Sequence, residues 1–351
     1  MIVLRDVRAG IRLVCALIML GCLQPAVAAD PGGNREQAQR QQVQPLNNAP
    51  IWRDVRGGDN PSQTTQVRGV ETSVLIQSEG EIWRQLRNGP ITIYGGWFLV
   101  LAFLGGLLFY LWKGPIKLKG PKTGRLIERF TPYERILHWT TAISFVILAV
   151  SGIVLLFGKY VLLPVFGYTL FSWLAILSKT LHNFVGPLFV VCTLLMIVTL
   201  IGNNLPRAHD WVWLRKFGGM ISGEHVPAGK VNAGQKLWFW GAVLGLGLAV
   251  GITGLVLDFP NFLQGRETMQ QANVIHAIAA VLYMGISLGH IYLGTIGMEG
   301  AYDAMRHGYV DETWAKEHHE YWYNEVKGQG RIAGGAPSAA HASAMKEGWK
   351  L

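Results

Sequence analysis

Four histidines lie inside long apolar runs of this 351-residue chain: His138, His182, His276 and His290. The stretch "NVIHAIAAVLYMGISLGHIYLGTIG" (273–297) carries two of them, fourteen residues apart. An ionisable ring surrounded by hydrocarbon needs a partner. Taken singly, each histidine reads equally well as an interhelical hydrogen bond. As a set they suggest metal ligation, since imidazole Nε2 is a strong axial ligand for haem iron. Zinc or copper would want a third or fourth ligand at the same depth, and no apolar run supplies one. The other six (His209, His225, His307, His318, His319 and His341) fall in polar loops or the tail, where solvated side chains are expected.

The apolar runs define the elements that must position these rings. Runs at 91–112, 137–157, 181–201, 237–257 and about 274–298 each have the length of a membrane-spanning helix. A further run, 160–178, contains Pro164 and Gly167, and only Lys179 and Thr180 separate it from the next span. It is expected to be an interfacial helix or re-entrant cap. Segment 113–136 holds seven Lys/Arg and 202–236 holds five, against two in 158–180 and one in 258–273. The excess places the first two in the cytoplasm.

This topology sorts the histidines by depth. His138 and His290 fall near the cytoplasmic side, His182 and His276 near the periplasmic side. The step from His276 to His290 is about 21 Å along a helix and returns to within roughly 40° of the same face. Histidines on facing helices are how a four-helix bundle grips a flat macrocycle. Two bis-histidine b haems are the economical reading. Gly152, Gly186 and Gly289 offer bare helix surface for a haem edge, or equally for close helix packing. Arg135 and Lys179, one turn outside His138 and His182, could meet propionates or snorkel to lipid phosphates.

Composition agrees with a membrane protein: 50% of residues are hydrophobic and 15% charged, where soluble domains carry about 25% charged. The net charge of +9 therefore reflects basic residues bordering spans rather than a nucleic-acid surface. Of three cysteines, Cys15 and Cys22 lie near the start and Cys192 stands alone. No C-x-x-C or C-x-x-C-H occurs, which excludes iron–sulfur clusters held by this chain and covalently attached haem. Arg5, Arg8 and Arg12 precede the apolar run "LVCALIMLGCL", and "AVAAD" offers a cleavage site after Ala28 or Ala29. That is a signal peptide, or an uncleaved anchor.

The expected organisation is a signal peptide (1–29), a periplasmic polar segment (30–90), an extra transmembrane helix (91–112), a cytoplasmic linker (113–136), a four-helix di-haem domain (137–298) and a cytoplasmic tail (299–351). A short helix is expected within "LIQSEGEIWRQL" (75–86). The fold class is an all-α integral membrane protein, a four-helix cytochrome b bundle plus one N-terminal helix. The expected location is the bacterial inner membrane, with the mature N-terminus periplasmic and the C-terminus cytoplasmic.

The runs "YERILHWT" (133–140), "SKTLHNFVG" (178–186), "GKVNAGQKLWFW" (229–240), "VIHAIAA" (274–280), "GHIYLGTIGMEG" (289–300) and "ETWAKEHHEYWY" (312–323) resemble the γ subunit of respiratory formate dehydrogenase, a membrane cytochrome b556. The resemblance covers roughly 125–325 and is to the longer form of that subunit. It implies His138 and His290 as ligands of the cytoplasmic-side haem, and His182 and His276 as ligands of the periplasmic-side haem. It also implies a quinone pocket, for menaquinone or ubiquinone, at Asn232, Gly234 and Gln235 beside His290. From the residues alone, Asn232 could equally be a helix N-cap.

The resemblance further implies two partner subunits. A periplasmic α subunit with a molybdenum or tungsten pterin oxidises formate, and an iron–sulfur β subunit delivers the electrons to this chain. Association of several such complexes stays open. The runner-up is the cytochrome b of a nickel–iron hydrogenase or of a thiosulfate/polysulfide reductase. A remote alternative is a haem-free anchor or metal transporter, against which the spans' lack of acidic residues argues.

Overall fold

The structure, a computed structural model, describes residues 78–262 and 264–329. The expected signal peptide, residues 30–77 of the polar segment and the end of the tail lie outside the described residues. Four helical stretches are long and apolar enough to cross a membrane: Gly80–Lys113, Pro132–Asn204, Ala233–Asp258 and Arg266–Gly297. The protein is an all-helical integral membrane bundle with a small cap.

The expected short helix forms as α1 (Ser78–Leu86) and runs into α2 (Thr92–Lys113) through a π-helical turn, Arg87–Ile91, that contains Pro90. The helical stretch that holds the first apolar run thus begins earlier than that run. Trp83 donates to the Asn273 side chain at 2.9 Å, and α2 packs along the helix that carries His276 and His290. Contact there is close: a Cβ on Gly285 would meet the Phe98 ring at 2.2 Å. Small residues allow this approach between membrane helices.

Strand β1 (Leu126–Glu128) precedes α3 (Pro132–Leu200). Thr131 and Glu134 form a reciprocal cap and Pro132 takes the first helical position, so the start of α3 is written in its sequence. The helix does not run straight. Gly167, at φ +70°, breaks it, and the two arms return antiparallel. Phe145 meets Phe189 at 6.2 Å between ring centres, and Ser151 meets His182. Run 160–178 is therefore not an interfacial helix or re-entrant cap. It is the two helical arms on either side of a turn at Gly167, where glycine reaches a left-handed conformation without Cβ strain.

Beyond α4 (Ala208–Arg215), Asn232 caps α5 (Ala233–Leu237), which continues through a π-helical segment, Trp238–Leu246, into α6 (Gly247–Asp258). Helix α7 (Arg266–Tyr292) ends in another π-helical turn, Leu293–Gly297. Helix α8 (Ala301–His307) then leads to β2 (Tyr309–Asp311), α9 (Glu312–His318) and α10 (Glu320–Gly328).

The linker and tail, expected as separate loops, join. Strands β1 and β2 pair antiparallel, with Ile127 opposite Val310. Around them Trp314, Ala315, Trp322, Tyr323 and Val326 form a buried apolar cluster. This cap gives the bundle a second core outside the spans.

Candidate functional site

Helix α7 places one histidine against each arm of α3. His290 faces His138 with 6.3 Å between ring centres, and His276 faces His182 at 6.0 Å. The pairing inferred from depth is the pairing the fold makes. A metal ion bound between two imidazoles lies about 2 Å from each nitrogen, with roughly 1.1 Å more to each ring centre, so ring centres stand roughly 6.3 Å apart. Both pairs sit at that spacing. Among the described residues, no group of three or more His, Cys, Asp or Glu converges. Each pair thus stands without a third such residue beside it among the described residues.

Cavities surround both pairs. One of about 410 Å³ is lined by His182, His276, Gly152, Gly186, Gly254 and Lys179. A larger one of about 1720 Å³ is lined by His138, His290, Trp238, Gly289 and the 232–235 loop. A Cβ on Gly254 would lie 3.2 Å from His276 Cε1, and one on Gly152 3.5 Å from His182 Cε1. Gly186 and Gly289 face open space. Bare helix surface beside paired imidazoles is what a flat macrocycle requires, so these residues fit a bis-histidine haem at each level.

The His182–His276 pair is oriented by hydrogen bonds. Ser151 Oγ donates to Ile147 O at 2.7 Å and accepts from His182 Nδ1 at 2.8 Å. His276 Nδ1 lies 3.1 Å from both Thr253 Oγ1 and Val250 O. A carbonyl only accepts, so Nδ1 carries the proton and Nε2 keeps its lone pair. That is the tautomer a metal needs. The His138–His290 pair is held differently: His138 Nδ1 is buried without a partner, and His290 stacks on Trp238 at 4.4 Å, 1° from parallel. π-Helical turns, often found at functional sites, hold Trp238 and follow α7 just after His290.

The 232–235 loop is a helix cap. Gln235 N donates to Asn232 Oδ1 at 2.9 Å, and Asn232 N donates to Gln235 Oε1 at 3.0 Å. Both side-chain amide oxygens are thus used by the cap. Gly234 is explained by packing, because a Cβ there would meet the Trp213 ring at 2.8 Å. All three still line the cavity that holds His290.

Two expectations need correction. Arg135 caps α8, donating to His307 O at 3.0 Å and Arg306 O at 2.8 Å, so it does not reach into the cavity for a propionate. The tail histidines are not all solvated. His319 is 1% exposed and bonds Gly229 O through Nδ1 at 2.6 Å, and His318 Nε2 is buried without a partner. Burial lowers the His318 imidazole to about 4 and holds His319 well below its usual range. Ser151, Thr253, Trp238 and Arg129 escaped the sequence reading. Of these, Ser151 and Thr253 are hydroxyl residues inside apolar runs, the one signal that could have found them.

A helical membrane bundle with two facing histidine pairs on one shared helix is the architecture of a b-type cytochrome. Residues 129–308 match the family of prokaryotic cytochrome b561, and the chain belongs to that family. It is 33% identical over 210 residues to the formate dehydrogenase cytochrome b556(fdo) subunit of Escherichia coli strain K12, covering 57% of this chain and 93% of the relative. To the nitrate-inducible formate dehydrogenase cytochrome b556(Fdn) subunit of the same strain it is 31% identical over 209 residues, 58% of this chain and 93% of that one. To the formate dehydrogenase cytochrome b556 subunit of Haemophilus influenzae it is 28% identical over 213 residues, 57% and 83%. The matched family region starts just after β1 and ends with α8.

Proposed function

We propose that the chain is the membrane di-haem b cytochrome subunit of a formate dehydrogenase, linking a periplasmic iron–sulfur subunit to quinone near the cytoplasmic side of the inner membrane. The observation that carries this is the pair of facing histidine couples, 6.0 and 6.3 Å between ring centres, in a member of a cytochrome b family. The relatives' names support the partner assignment.

His182 and His276 would hold the outer haem, and His138 and His290 the inner one. Haem bound there supplies one-electron carriage between the two levels. Ser151, Thr253 and Val250 O hold the outer imidazoles through Nδ1, which leaves Nε2 free to bind. Trp238 fixes His290 by stacking. Helix surface at Gly152, Gly186, Gly254 and Gly289 leaves room for the macrocycle, and the apolar walls keep water from it. Asn232 and Gln235, with amide groups lining the inner cavity beside His290, are the proposed quinone contacts. Because the basic loops 113–136 and 202–236 lie on the same side as that cavity, protons for quinone reduction would come from the cytoplasm.

Purification in mild detergent with a pyridine haemochrome assay tests the reading. It expects two b haems per chain and co-purification of a pterin enzyme with an iron–sulfur subunit. A hydrogenase large subunit in their place would reassign the complex, and protein without haem would reject the cytochrome reading.

A further inference from the structure

The inner cavity carries a buried cation without a counter-ion. Arg129, between β1 and the cap of α3, is 4% exposed. Its guanidinium lies 4.6 Å from the Trp314 ring centre and 5.3 Å from that of Phe130. Nη2 donates to Lys230 O at 3.0 Å and to Gln235 Oε1 at 3.4 Å, while Nε is buried without a partner. Among the described residues no carboxylate stands within ion-pair distance. Burial pushes the guanidinium down to about 9, because desolvation disfavours the charged form.

The acids near this cavity are already engaged. Glu134 closes the Thr131 cap, Glu312 binds Arg125 and Tyr323, and Glu317 accepts from the backbone of Lys119 and Gly120. Glu320 pairs with His225 and Glu224 with Lys216. Beside Arg129, two further buried groups lack partners, Trp314 Nε1 and His318 Nε2, on rings 5.3 Å apart. An indole N–H can only donate. All three residues line the cavity that also holds His138 and His290. Arg129 Nε and Trp314 Nε1 are unpartnered buried donors, and His318 Nε2 joins them in its Nε2–H tautomer. Such a set calls for an acceptor, and beside a guanidinium that acceptor is an anionic oxygen.

We propose that Arg129, with Trp314 Nε1 and His318 Nε2, is a receptor for an anionic oxygen group of a ligand seated in the inner cavity. The inference rests on the reading above, which offers two sources of that chemistry: a propionate carboxylate of the inner haem, and the oxygen of reduced quinone. It gives Arg129 the task that the sequence suggested for Arg135, whose guanidinium caps α8.

The test is potentiometric titration of the purified full-length protein, wild type against Arg129→Gln and Arg129→Lys, with binding of a short-chain quinone analogue measured in parallel. If the propionate is the ligand, R129Q lowers the reduction equilibrium of one haem by about tenfold, about 59 mV for one electron. The other haem stays put, and R129K recovers part of the shift. If quinone is the ligand, both midpoints hold and analogue affinity falls about tenfold. Trp314→Phe, which removes one donor and keeps the ring, should move the same quantity by less and serves if R129Q does not fold. Wild-type midpoints and wild-type analogue affinity in a folded R129Q, or in W314F where R129Q fails to fold, overturn the proposal. Wild-type protein without haem would instead reject the underlying reading.

Discussion

Ser151 Oγ lies 2.8 Å from His182 Nδ1, across the turn at Gly167 that folds α3 back on itself. The hydroxyl gives its proton to Ile147 O, so toward the imidazole it acts as acceptor. One side chain thereby sets the tautomer of a ring on the opposite arm. Thr253 and Val250 O do the same for His276. Both imidazoles of the His182–His276 pair thus have Nδ1 engaged, which leaves Nε2 with its lone pair.

Removing those hydrogen bonds should weaken the outer site alone. Loss of a group that orients a metal-bound imidazole typically costs about 10- to 100-fold in metal affinity. Ser151→Ala combined with Thr253→Val, which keeps the shape of Thr253, should lower haem retention at the His182–His276 site by that order. Haem content and low-temperature difference spectra of the purified variant would show one component depleted. Equal depletion of both would mean that the hydroxyls support the bundle rather than the site.

His290→Ala should remove the inner haem and quinone reduction while the outer haem stays. The two couples share α7 but face different arms of α3, and about 21 Å of helix separates them. Haem stoichiometry falling from two to one, with a single remaining midpoint, is the expected result. Loss of both from a protein with intact helicity, or of neither, would break the assignment of pairs.

Asn232 serves as a cap and is a proposed quinone contact, and two substitutions separate these roles. Asn232→Ala removes the cap and should cost about 1 kcal/mol of stability. Asn232→Asp keeps a capping oxygen but loses the amide donor. Thermal unfolding should therefore shift in N232A and hold in N232D. Quinone reductase turnover with an artificial donor should fall in both. Full turnover in N232D would reduce Asn232 to a cap.

Which histidines face each other was legible in the sequence because level is a one-dimensional property: successive spans run in opposite directions, and position along a span gives depth. The hairpin was not legible. An apolar run that spans two helix arms looks like one element, and nothing but a single glycine marks the reversal at φ +70°. Burial of His318 and His319 was hidden for another reason. Their run, "ETWAKEHHEYWY", is polar in composition, and its apolar face becomes evident only when Trp314, Trp322 and Tyr323 meet Ile127 from the distant strand β1. Arg129 was masked by its neighbours. In a loop with seven basic residues, one more arginine reads as a topology signal, whereas its lack of a carboxylate is a property of the folded cap.

The buried tail histidines make docking of the cap depend on pH. Burial is the main cause that lowers both imidazoles, with the Arg129 charge acting in the same direction on each. Glu317 opposes it at His318, as does the hydrogen bond to Gly229 O at His319, while the charge of His225 further lowers His318. In the unfolded chain both titrate near 6.5, and in the fold His318 titrates at about 4 and His319 well below 6.5. Between those values the unfolded form binds more protons, so stability is complete above pH 6.5 and lost as pH falls below it. Each histidine contributes up to about 1.4 kcal/mol per pH unit over that window. Glu312, which Tyr323 and Arg125 hold below the usual carboxylate range, adds loss in the same direction, but only once pH drops beneath its unfolded value. Hydrogen exchange of residues 314–326, corrected for intrinsic rate, should therefore lose about fivefold protection per histidine between pH 6.5 and 5.5. His319→Asn, which can still donate to Gly229 O but does not ionise, should remove one of the two contributions. Protection that holds level from pH 7.5 to 5 would show that these rings are hydrated in the working protein.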